Sequence, residues 1–228
     1  MKKFIYLALV LFSATGLFAQ ETTIEKSDFD AALSKAFVRF AGQSYRRTES
    51  SRDILPNENQ NRVTTKSFTE FAPRARRSFY QFDSPTVKTK KETIVIDGKT
   101  YTRLNDGEWT DKKIVPEKPS ERKLEEIESK TEYKSLGTEI LDNRVTSVYA
   151  RIDNKKFVNT SNNRELLSTN TTKFWLDEKG GLVKEETQTE SRMKAAQDRP
   201  ESVYRTIRTS FWEIDPTIKI EAPVVAAQ

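Results

Sequence analysis

Serines stand three residues ahead of lysines twice, Ser120 with Lys123 and Ser191 with Lys194. A lysine at that spacing can take the proton from a serine hydroxyl and make it a nucleophile for acyl transfer. Ser161-Asn162-Asn163 imitates a second element of such enzymes, but no Lys-Thr-Gly element follows. Both Ser-x-x-Lys pairs lie in charged segments, where a helix cap and ordinary surface account for them. Paired carboxylates are the next candidates: Glu125, Glu126 and Glu128, and Glu185 with Glu186. Glycoside hydrolysis needs two carboxyl groups on opposite sides of a cleft. Adjacent strand residues such as Glu185 and Glu186 point to opposite faces and form no dyad. The loop Asp177–Gly181 lacks the ligand spacing of calcium loops. The chain has no histidine and no cysteine. The commonest general base and the commonest zinc ligands are therefore missing. The expectation is a non-enzyme with no catalytic residue, no metal and no cofactor.

Two other residue classes could act without bond chemistry. Arginines concentrate between Arg39 and Arg77; Arg46, Arg47, Arg76 and Arg77 are the candidates for contact with anionic headgroups or an acidic partner. Arginine on the exposed face of strands is the plainer account. Aromatic and aliphatic residues form the second class: Phe29, Leu33, Phe37, Phe40, Trp109, Phe174, Trp175, Phe211 and Trp212. They are core if helix and sheet pack tightly, and the lining of an acyl-chain cavity if they pack loosely. Each methylene buried in such a cavity contributes about 0.8 kcal/mol, so a lipid site needs no polar motif.

The elements that must position these residues begin after a leader. Lys2 and Lys3 precede an apolar run from Phe4 to Phe18, and small Ala19 follows. This predicts a secretory signal peptide over residues 1–19, too short for a membrane span of about 20 residues. No cysteine follows it, so an exported, soluble, non-lipidated periplasmic or secreted protein is expected. The 39 basic residues less Lys2 and Lys3 leave 37 against 34 acidic ones, a net +3. A balance so mild does not call for nucleic acid. The remaining length suits one domain over residues 20–223 with a flexible tail at 224–228. The mature part is polar, which suits a thin curved sheet better than a thick core.

Phe29, Leu33, Ala36, Phe37 and Phe40 recur on one helical face, with Ser27 as N-cap and Gly42 as C-cap. Beyond Ser44 the pattern alternates. Strands are expected near 45–53, 62–71, 77–83, 92–96, 99–104, 109–114, 131–141, 144–153, 166–176, 182–191 and 202–214. Asp97-Gly98, Asp106-Gly107 and Asp142-Asn143 are hairpin signals. Pro116–Lys130 reads as a short surface helix capped by Ser120. The predicted fold is mainly β with some α: a long antiparallel sheet curved into an unclosed half-barrel. Its concave face is covered by the N-terminal helix and the short helical insertion.

Three stretches carry a resemblance: 95–101 with Gly107-Glu108-Trp109, the hairpin 172–184, and 218–223. In order and pattern they are similar to the LolA/LolB-like superfamily, including LppX/LprG-type lipid-binding proteins. Leu182-Val183 stands where that family often has Leu-Pro. The resemblance implies a periplasmic carrier of lipids or lipoprotein acyl chains, with an apolar cavity between sheet and helix; a monomer is expected. It also implies a partner protein in the inner or outer membrane. The alternative on the same fold is an envelope interaction or stress-sensing module with a protein partner.

Overall fold

A computed structural model describes residues 21–54, 64–84, 86–111, 124–160, 163–195 and 200–225. Its elements are β1 (Thr22–Ile24), α1 (Lys26–Leu33), a 3₁₀ turn (Val38–Phe40), β2 (Tyr45–Ile54), β3 (Thr64–Ala72), β4 (Ala75–Asp83), β5 (Lys88–Ile96), β6 (Lys99–Leu104), β7 (Leu124–Leu141), β8 (Arg144–Asn159), β9 (Arg164–Leu176), β10 (Leu182–Met193) and β11 (Ser202–Ile214). The strands form one antiparallel sheet in the order β1-β7-β8-β9-β10-β11-β2-β3-β4-β5-β6, open at β1 and β6. It consists of two meanders, β2 to β6 and β7 to β11. They are joined along a seam where β11 pairs with β2 from Arg205↔Ile54 to Ile214↔Tyr45.

Local chemistry explains the hairpins. Asp97 and Gly98 take φ of 46° and 78°, and Asp142 and Asn143 take 50° and 61°. Positive φ at both central residues matches the right-handed twist of the flanking strands. The third turn is displaced by one residue from its predicted place. Asn105 and Asp106 hold the positive φ values of 47° and 60°, and the Gly107 N–H closes the turn on the Leu104 carbonyl at 2.9 Å.

The predicted helix is shorter than its apolar pattern. α1 ends at Leu33, and residues 34–37 are turns before the 3₁₀ segment. The cause is tertiary: the Ala36 carbonyl accepts from the N–H of Leu182 at 3.0 Å, a bond to the sheet in place of a helical one. Ser27 is not the cap; Glu25 occupies that place without a side-chain bond. Three further expectations are corrected. Leu124–Lys130 is strand, the first part of the 18-residue β7, and not helix; the rest of the predicted insertion, with Ser120 and Lys123, lies outside the described residues. Residues 218–223, which the resemblance makes a closing strand, are not a strand, and the Ile218 N–H closes a turn on the Asp215 carbonyl. The predicted strand at 109–114 is reduced to a single bridge, Thr102↔Thr110, with 112–114 outside the described residues.

Strand alternation gives the sheet two faces. The N-terminal segment lies on one, called here the helix face. Phe29 meets Tyr133 at 4.9 Å and Phe174 at 5.9 Å between ring centroids. Ala36, Phe40, Leu176, Leu182 and Trp212 form the buried cluster beneath it, with Leu33, Tyr45, Tyr149, Phe174 and Ile214 packed around. No helix among the described residues is long and apolar enough to cross a membrane.

Candidate functional site

The helix face is fastened at the β9–β10 turn. Asp177 accepts from the backbone N–H groups of Lys179 (3.0 Å) and Gly181 (2.8 Å) through one oxygen. Its other oxygen takes the Arg39 Nη1 at 2.5 Å. Arg39 crosses directly over Gly181, where an added Cβ would lie 2.3 Å from its Cδ. The Asp177–Gly181 loop is thus a clamp on the N-terminal segment, its carboxylate engaged by the chain itself.

Beside the packed cluster, a crevice of about 420 Å³ opens between Phe37, Tyr45, Arg47, Phe71, Glu185 and Arg208. Its walls are aromatic: Tyr45 stacks on Phe71 at 4.4 Å, and Phe37 stands edge-on to Trp212 at 6.5 Å. Burial pushes the Tyr45 hydroxyl pKa upward. Its floor is charged and internally paired, Arg47 with Glu49 and Arg208 with Glu185 at 3.8 Å. Arg47 also lies over the Trp212 ring at 5.5 Å.

The opposite, far face carries a different arrangement. Strand register places Val148, Trp175, Lys184, Phe211, Thr48, Phe68, Phe79, Glu92 and Arg103 in one row across nine strands. Trp175 is held there from two sides: Lys184 Nζ sits 4.1 Å from its ring centroid, and its indole N–H donates to Glu139 at 2.8 Å. Phe68 and Phe79 stack at 5.3 Å with only 14° between their planes. Over them runs a groove of about 610 Å³ lined by Arg46, Thr48, Lys66, Phe68, Glu70 and Phe79. The row ends at a buried carboxylate, Glu92, bonded by Arg77 at 2.7 Å and by Arg103 at 2.8 Å. Trp109 covers Arg103 at 4.8 Å.

The predicted site residues therefore divide. Phe29, Leu33, Phe37, Phe40, Phe174 and Trp212 belong to the helix face, and Phe40 and Trp212 are part of its filled cluster. Phe37 remains 55% exposed at the crevice mouth. Trp175, Phe211 and Trp109 lie on the far face, so no single cavity gathers all nine. Of the four arginines, Arg46 bonds Glu70 at 2.8 Å, Arg47 pairs with Glu49, and Arg77 pairs with Glu92; Arg76 is exposed. Glu185 and Glu186 point to opposite faces, toward Arg208 and Lys184 respectively. Phe68, Phe79 and Lys66 were not singled out by the sequence. Their signal was available: the row they share becomes visible once β2, β3 and β4 are set in register.

No family model matches this chain, and no curated protein matches it.

Proposed function

We propose that this protein is a non-catalytic carrier that binds an apolar chain of a lipid or lipoprotein. The observation that carries the reading is the half-open aromatic row on the far face, above all the stacked Phe68–Phe79 pair under the 610 Å³ groove. An apolar floor with a few polar groups at its rim is the usual make-up of a small-ligand site. From Phe211 on β11 to Phe79 on β4 the partly exposed stretch of the row crosses three strand spacings, about 14 Å at ~4.8 Å each. That is a track for part of an extended acyl chain, which gains about 0.8 kcal/mol for each methylene it buries. The groove volume lies within the ordinary span of ligand sites.

The reading keeps the lipid-carrier role implied by the LolA/LolB-like resemblance and moves the site. The space between helix and sheet, where that resemblance puts the cavity, holds Phe40, Leu176, Leu182 and Trp212 against one another. In this proposal the open sheet is the half-barrel, α1 is a cover for its helix face, and the far face receives the cargo. Export through the leader at residues 1–19 and a periplasmic or secreted site of action belong to the same proposal.

The test is extraction of the protein from its native envelope under mild conditions, followed by intact mass measurement, and titration of the delipidated protein with a fluorescent acyl probe. Co-purifying lipid and a saturable probe signal that Phe68→Asp removes are the expected results. A lipid-free protein with no affinity for the probe overturns the carrier and leaves the protein-partner alternative in its place.

A further inference from the structure

We propose that the far-face groove selects a single-chain amphiphile with one anionic group, and that Lys66 receives that group. This rests on the carrier reading above and specifies its ligand. The floor of the groove is the Phe68–Phe79 stack. One wall is electrically closed: Arg46 gives both its Nε and Nη2 to Glu70, at 3.2 and 2.8 Å, and lies 3.7 Å from Asp215. Those carboxylates hold the Arg46 pKa above its ordinary value, so its charge is permanent and already matched.

The other wall is formed by Lys66. Its direct cross-strand neighbours are Ser50 on β2 and Gln81 on β4, both neutral. On a strand pair, an opposed carboxylate would be the usual partner for a lysine. Here none is opposed, and Lys66, exposed at the groove, makes no ion pair among the described residues. The next cation along that row, Lys90 opposite Gln81, is held by Asp106 at 3.1 Å. The groove therefore presents an apolar floor, one neutralised wall and one unmatched ammonium. A chain lying on Phe68 and Phe79 with a carboxylate or phosphate at its end completes that pattern. A neutral headgroup leaves the ammonium unmatched. The volume of about 610 Å³ corresponds to one small ligand, which one chain fills.

The experiment compares four amphiphile titrations of the full-length mature protein at low salt: laurate, lauryl phosphate, monolaurin and, as a control for chain capture, an uncharged lauryl maltoside. Wild type should bind laurate or lauryl phosphate about threefold to fivefold tighter than monolaurin, the range an exposed ion pair supplies. The tighter of the two anions identifies a fatty acid or a phosphate-headed lipid as the source. Lys66→Gln should bring the anions down to the affinity of monolaurin and leave monolaurin unchanged, and Lys66→Arg should restore the preference. An unchanged anion preference in Lys66→Gln overturns the assignment of Lys66. Equal weakening of all four ligands overturns it too, because it marks a structural role. Binding of none of the four by wild type overturns the carrier reading itself, whereas equal binding of all four by wild type overturns only the anionic selectivity.

Discussion

The two faces of this sheet hold aromatic residues of the same kinds and use them differently. On the helix face, Phe40 and Trp212 are buried against Ala36, Leu176 and Leu182, and the N-terminal segment is clamped over them. On the far face, Phe68, Phe79 and Phe211 stand in a row with no chain element among the described residues across them, and Phe211 is 41% exposed. The same residue type is thus buried where the chain covers it and stays partly exposed where the chain does not. Neighbours in sequence fall on the two sides of this division: Phe174 under α1 and Trp175 behind it, Trp212 in the cluster and Phe211 outside it.

The largest test of this contrast truncates one aromatic from each face. Trp212→Ala should cost ~3–5 kcal/mol of unfolding free energy, the usual loss for an aromatic removed from a core, read by urea denaturation. Phe68→Ala should cost only about 1 kcal/mol while weakening acyl-probe binding at least tenfold. Equal destabilisation by the two would make the far face a second core and remove the contrast.

Next in size is Gly181→Ala. The new methyl would meet Arg39 Cδ at 2.3 Å, and overpacking of this sort costs ~1–3 kcal/mol. Combining it with Arg39→Ala should recover part of the loss, a non-additivity expected of residues in contact. Asp177→Asn keeps an acceptor for the turn and removes the charge facing Arg39, so about 1 kcal/mol is expected from this partly exposed pair. Neither change should alter ligand binding on the far face; a parallel loss of binding would show that the two faces act as one unit.

The smallest effect concerns acid. Glu165, at the start of β9, is held by Lys156 and Lys194, which lower its pKa to about 2. A depressed carboxyl pKa stabilises the fold fully above the unfolded value near 4.5, and that contribution fades as pH falls through about 2. Glu165→Gln should remove this pH dependence, so that wild type and variant converge in thermal midpoint as pH falls from about 4.5 to 2. The carboxylate is partly exposed, so solvent screening should keep the shift in midpoint small.

Much of the strand pattern was legible because alternation and turn chemistry are local. Lys99–Leu104 and Ser202–Ile214 have the boundaries read from the sequence, and the turns at Asp97-Gly98 and Asp142-Asn143 have the positive φ that their residues favour. What failed was decided by contacts distant in sequence. The helical periodicity continues to Phe40, but the Leu182 N–H draws the Ala36 carbonyl away from the helix. Leu124–Lys130 is rich in charge and resembles a solvated helix. It becomes strand because β8 extends to Asn159 and pairs with it as far as Leu124. The far-face row was hidden for the same reason: it is a property of register across nine strands, and no single segment contains it.

The seam between β11 and β2 also governs when the sheet can exist. Ten register pairs join residues 205–214 to residues 45–54, so the two meanders are united by a strand near the carboxyl end of the chain. Before that strand is synthesised, β2 is a bare edge and the two halves are separate hairpin stacks. Contacts of such sequence separation form late and slowly. The architecture thus imposes an order: the two meanders can become one sheet only after the last strand is made.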